Sequence, residues 1–161
     1  MMRDLVGTER TETTMARRRP PTKLKRSRLT DNEITEIARG VMRTLLSKLE
    51  GSPDDLRSWV NLARSLGIKL FGYYGEPGDP PGYYDGSGEV PCIFYNLSAP
   101  KLLRMFYIIH ELAHHVLVAW PGSAFPRAAL ERYDDDRKSV QHRVACRVED
   151  LVQEHIETKI R

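Results

Sequence analysis

The run from Met105 to Trp120 is the most apolar stretch of this 161-residue chain, yet it carries His110, Glu111, His114 and His115. Apolar residues fall on nearly every side of a helix drawn from Lys101 to Ala119. That pattern predicts a central helix wrapped by other elements, stopped by Pro121-Gly122. The polar residues break the run well short of the ~18 consecutive apolar residues of a membrane span. Burying two or three imidazoles and a carboxylate in such a helix is costly without a purpose. The fold must therefore surround this helix and also give its polar side chains something to do.

His110 and His114 are four residues apart, so their rings leave one helix face and can share a metal ion. Glu111 sits about 100° around the helix from His110, at 3.6 residues per turn. It is placed to act on a water rather than to complete the ligand pair. At this chain's own frequencies, five His and 12 Glu in 161 residues, the pattern arises by chance roughly 1% of the time. His115 is expected to support the site from outside the ligand pair or to lie at the surface.

A catalytic zinc takes three protein ligands, so a third must come from downstream. The candidates are Glu131, Asp134, Asp135, Asp136, His142 and Glu149. A last helix is expected from Lys138 to Thr158, dry along Ala145, Val148, Val152 and Ile156 and wet along Arg143, Arg147, Asp150, Glu154 and Glu157. His142 and Glu149, seven residues apart, fall at the edge of the dry face, with Cys146 near them. Asp134-Asp135-Asp136 reads as a solvated segment leading into that helix, where acidic residues favour the N-terminus.

The rest of the chain supplies the wrapping. Thr30 and Glu33 form a capping box ahead of Ile34, Ile37, Ala38, Val41, Leu45 and Leu49, which recur at helical spacing. Gly51-Ser52-Pro53 ends that helix. A second runs from Pro53-Asp54 through Trp59, Leu62, Ala63 and Leu66 to Gly67. Ile68 to Tyr74 reads as a strand. Residues 75–88, rich in Gly, Pro and Asp, read as a loop or short hairpin around Tyr83 and Tyr84. Val90 to Tyr95 reads as another strand, at a sheet edge because Pro91 has no N–H to donate. Residues 121–137 read as a loop with a short helical turn. The class is α+β.

Charge is unevenly spread. Residues 1–30 hold nine Lys/Arg and three Asp/Glu, whereas the remainder holds 16 and 19. Residues 1–29 are expected to be a disordered basic tail, and 30–161 the folded domain. A basic tail can meet nucleic acid through phosphates, but no aromatic lies between Thr8 and Asp31 to stack on bases. Cys92 and Cys146 make no disulfide framework. With no apolar signal core at the N-terminus, the expected location is cytoplasmic.

From Leu62 to Val152 the chain resembles the ImmA/IrrE family of intracellular zinc peptidases. The likeness is carried by Leu62 to Ile68, by Val90 to Asn96, and above all by Arg104 to Leu117 with its His-Glu-Leu-Ala-His run. It implies a zincin-like arrangement around a small three-stranded or hairpin-containing sheet, with the motif on the active-site helix. It implies Zn2+ as cofactor and a protein substrate, such as a helix-turn-helix transcriptional repressor. The family's third ligand is a Glu three residues ahead of an Ala. Here Ala145 follows His142 at that distance, so the match puts a histidine in the acid's place, with Glu149 as the alternative. An extended peptide adding to the Val90–Tyr95 edge would touch Val90, Cys92 and Phe94.

The expected activity is that of a zinc endopeptidase with Glu111 as general base and His110, His114 and His142 as ligands. Two other readings stand beside it. One is a zinc-binding regulatory module that holds a repressor or DNA without turnover. The other is a zincin protease acting on DNA-bound proteins, for which a third histidine would be normal.

Overall fold

The structure, a computed structural model, describes residues 28–119 and 135–160. Most of the expected basic tail and most of the segment expected to be a loop, with Glu131 and Asp134, lie outside the described residues. The described residues form four helices and a three-stranded mixed sheet.

Helix α1 spans Asp31–Lys48. Its start is the expected capping box, with Thr30 Oγ1 accepting from the Glu33 amide at 3.2 Å and Glu33 accepting from the Thr30 amide at 2.8 Å. Ile34, Ala38, Val41 and Leu45 form its buried stripe. Gly51 turns the chain at φ 103°, where a Cβ would also strike Ser58. Helix α2, Leu56–Ser65, is capped by Asp55 and buries Trp59, whose indole donates to the Pro53 carbonyl at 2.9 Å.

Strands β1 (Lys69–Tyr73), β2 (Gly82–Asp85) and β3 (Cys92–Asn96) pair in the order β1-β3-β2. β1 runs parallel to β3, in the register Leu70↔Ile93, and β2 runs antiparallel to it, in the register Tyr84↔Ile93. Phe71, Phe94 and Tyr83 stack across all three strands on one face, with centroids 5.2 and 4.3 Å apart. Ile93, on the other face, is fully buried.

The expectation that Val90 to Tyr95 is an edge strand is therefore corrected: β3 is the central strand. Pro91 lies one residue before it and serves as an acceptor, its carbonyl taking the Lys69 amide at 2.9 Å. A proline outside the ladder costs no ladder bond, so it places no strand at an edge. Cys92 and Phe94, paired on both sides, accordingly offer no free edge to a peptide; among the described residues the edge strand beside the site is β2.

Helix α3, Lys101–Ala119, is the centre of the core: Met105, Ile108, Ile109, Leu112, Ala113, Val116 and Leu117 are all buried. α1, α2, the sheet and the last helix, α4 (Arg137–Ile160), pack around it. By length and apolarity alone α3 could cross a membrane, with a mean hydropathy of 1.2. Its central apolar residues are buried in the core, whereas Leu102, Leu103 and Val118 are exposed; truncating Leu112 to Ala would cost ~3 kcal/mol.

Helix α4, Arg137–Ile160, buries Val140, Val144, Ala145, Val148, Leu151 and Val152. It starts a residue before the expected Lys138, because Asp136 caps it, its carboxylate accepting from the Ser139 amide at 2.6 Å. The acidic segment is not simply solvated, as its charge suggested. The Asp135 side chain is only 4% exposed. It accepts from the Leu29 amide at 2.6 Å and pairs with Arg28 at 3.0 Å and Arg143 at 3.3 Å. Leu29, assigned to the tail by composition, is itself a core residue. Leu29 and Asp135 thus tie the start of α1 to the start of α4, which sets α4 against α3.

Candidate metal centre

α3 presents His110, Glu111 and His114 to α4 and β2, where they line a cleft of about 570 Å3. The two histidines meet through their Nε2 atoms, 3.2 Å apart. Two nitrogens bound tetrahedrally at ~2.05 Å from one ion stand ~3.3 Å apart. The helical spacing therefore sets the pair at ligand distance without rearrangement.

α4 brings the third imidazole. The ligand atoms of His110, His114 and His142 all lie within 4.8 Å of one another, so the cluster could hold a metal ion. The donor set suits a borderline cation such as zinc, copper, nickel or iron. His110 and His114 are half-buried and His142 is exposed, which leaves one side of the cluster open to the cleft.

Glu149, the alternative third ligand, is placed otherwise. Its carboxylate lies 3.0 Å from His110 Nδ1, on the side of the ring away from the cluster. His114 is held by a side-chain hydrogen bond to Gln141. α4 thus supplies the third imidazole of the cluster and the side chains that hydrogen-bond the other two. Among the downstream acids, Asp135 and Asp136 are spent on the tie to α1 and the cap of α4.

The electrostatics follow from this packing. Burial pushes His114 down to about 4, helped by the neighbouring charges of His110 and His142. It is neutral at physiological pH, the form that binds metal. Burial also pushes His110 down, but the hydrogen bond and charge of Glu149, with the charge of Glu111, outweigh it and the net direction is up. Burial drives Glu111 up to about 7, opposed by His110 and reinforced by Glu149. The backbone amide of Tyr84 hydrogen-bonds the Glu111 carboxylate and holds it partly back.

Tyr84 was not singled out by the sequence, and it joins the sheet to the site twice. Besides its amide, its phenol lies 2.8 Å from His115 Nδ1. His115, expected outside the ligand pair, is buried and supports β2 rather than the cluster. Tyr107 and Gln141 also line the cleft. Gln141 had one available signal, a place next to His142 on the same edge of α4. Val90, Cys92 and Phe94 do not line the cleft, whereas Pro81 to Tyr84 do.

No family model matches this chain, and no curated protein matches it.

Proposed function

We propose that this protein is a zinc-dependent endopeptidase of zincin-like build, acting in the cytoplasm on an exposed segment of a protein. The observation that carries this reading is the three-imidazole cluster with Glu111 beside it in an open cleft.

His110, His114 and His142 are the residues that would hold the ion. Bound there, it supplies Lewis acidity, lowering the pKa of a water and polarising a carbonyl. Glu111, with a carboxyl driven to about 7, is matched to proton transfer near neutral pH. It takes the proton of the attacking water and delivers it to the departing amine, so peptide cleavage leaves a carboxylic acid and an amine. β2 is an edge strand among the described residues and lines the cleft through Gly82 to Tyr84, where an extended substrate could add to it. A helix-turn-helix repressor is the substrate class that the resemblance suggests.

The test is cleavage of a peptide library by the zinc-loaded protein, read by mass spectrometry. Wild type cleaves; Glu111→Gln retains stoichiometric zinc but loses ~10²–10⁴-fold in rate. A zinc-loaded wild type that cleaves neither the library nor candidate repressors would overturn the reading.

A further inference from the structure

α4 repeats the spacing that makes α3 a metal helix. His142 and Cys146 are four residues apart, as His110 and His114 are, and all four side chains line the same cleft. Cys146 Sγ lies 3.7 Å from His142 Nε2. For a thiolate at ~2.3 Å and an imidazole at ~2.05 Å from one tetrahedral ion, the donors would stand ~3.6 Å apart. Each helix thus holds a pair of donors at the separation that one ion requires. The three imidazoles form the compact group; Cys146 adjoins it at His142 without being part of it, so reaching the ion requires its side chain to turn.

We propose that Cys146 is a fourth protein donor to the metal, so that the resting site is closed by three histidines and a thiolate. The thiol proton leaves to solvent as the sulfur–metal bond forms. Four protein donors leave no position for water, whereas three leave one. The endopeptidase activity of wild type is then reduced rather than absent, because cleavage waits on the fraction of molecules whose thiol has left the ion. Room for it exists, because Cys146 and His142 also line a second groove, about 490 Å3, between α1 and α4 beside Ile34 and Thr35. A thiol turned into that groove, or covalently blocked there, frees the fourth position. The donor assignment rests on the metal centre alone; only the reduced activity rests on the endopeptidase reading.

The experiment is cobalt(II) substitution of the full chain, read by absorption. Wild type is expected to show the intense near-ultraviolet charge-transfer band of a cobalt–thiolate bond. Cys146→Ala and Cys146→Ser should bind cobalt without it, and Cys92→Ser should keep it. Maleimide, whose alkene adds the thiol with no leaving group, should label Cys146 about tenfold more slowly in the metal-loaded protein than after chelation. A wild-type cobalt spectrum without the band, or equal labelling rates, overturns the proposal whatever the variants do. Peptide cleavage by a wild type that lacks the band would leave the endopeptidase reading standing. A band in wild type, with no cleavage even by zinc-loaded Cys146→Ala, would keep the fourth donor and remove the endopeptidase.

Discussion

The Glu149 carboxylate meets His110 at Nδ1, 3.0 Å away, while His110 Nε2 meets the Nε2 of His114 at 3.2 Å. One ring nitrogen is held by an acid on α4 and the other is turned toward the cluster. This arrangement fixes the tautomer: Nδ1 carries the hydrogen and Nε2 keeps its lone pair for a cation. A carboxylate so placed also makes the imidazole a better donor.

Glu149→Ala should therefore weaken metal binding about 10–100-fold without abolishing it. His142→Ala, which removes a donor, should weaken it more. Competition against a chromophoric chelator measures both. If Glu149→Ala binds as tightly as wild type, the acid does not orient His110. If His142→Ala does, the third donor lies elsewhere.

The spacing of His110, Glu111 and His114 on a buried helix was legible because the 3.6-residue period alone decides which side chains share a face. The dry face of α4 was legible for the same reason, and it narrowed the third donor to His142 or Glu149. The resemblance put His142 first; that it is the one beside His110 and His114 depends on the crossing of α3 and α4, which no periodicity encodes. The sheet was less legible. Pro91 marked an interruption in hydrogen bonding, but not whether it fell within the ladder or just before it. Tyr84 was hidden because its main contact with the site is a backbone amide, which every non-proline residue carries. Asp135 looked solvated because burial of a charge depends on partners more than 100 positions away in the chain.

Asp135 gives a prediction about stability rather than chemistry. Its carboxylate joins Arg28, Arg143 and the Leu29 amide in a nearly closed site. Asp135→Ala leaves the Leu29 amide without its acceptor and takes one carboxylate from the half-buried Arg143, which keeps the Leu29 carbonyl and Asp31, at a cost of roughly 2 kcal/mol. Urea denaturation should show a lower midpoint with an unchanged slope. A loss below about 0.5 kcal/mol would mean that the tie is only a surface ion pair.

Tyr84→Phe separates the two links between β2 and α3. It removes the 2.8 Å hydrogen bond to His115 but keeps the amide that holds Glu111. The cost should be ~1 kcal/mol, a fall in Tm of roughly 3–5 °C for a domain of this size. Zinc affinity and the rate of peptide cleavage should stay within about twofold of wild type, since 1.4 kcal/mol is needed for a tenfold change. A large loss of activity with little loss of Tm would instead give the phenol a part in the chemistry.

The metal-free protein should show two opposed titrations. Glu111 rises from an ordinary 4.5 to about 7 on folding. The folded state then binds the extra proton, so this contribution to stability is complete below pH 4.5 and is lost as pH rises toward 7. His114 falls from an ordinary 6.5 to about 4. Here the unfolded state binds the extra proton, so the contribution is complete above pH 6.5 and is lost as pH falls toward 4. Between pH 4.5 and 6.5 acidification strengthens the first and weakens the second. Removing the carboxyl in Glu111→Gln leaves the histidine unopposed. In a chelating buffer, the Tm of this variant should fall relative to wild type as pH is lowered from 6.5 to 4.5. Taking the difference between the two proteins cancels shared groups that Glu111 does not touch, such as His115, which burial also lowers; the part of the His110 rise that comes from the Glu111 charge is lost in the variant and acts in the same direction. A difference that is flat across this window would show that Glu111 is no more buried than a surface acid, and would remove its claim to work as a base near neutral pH.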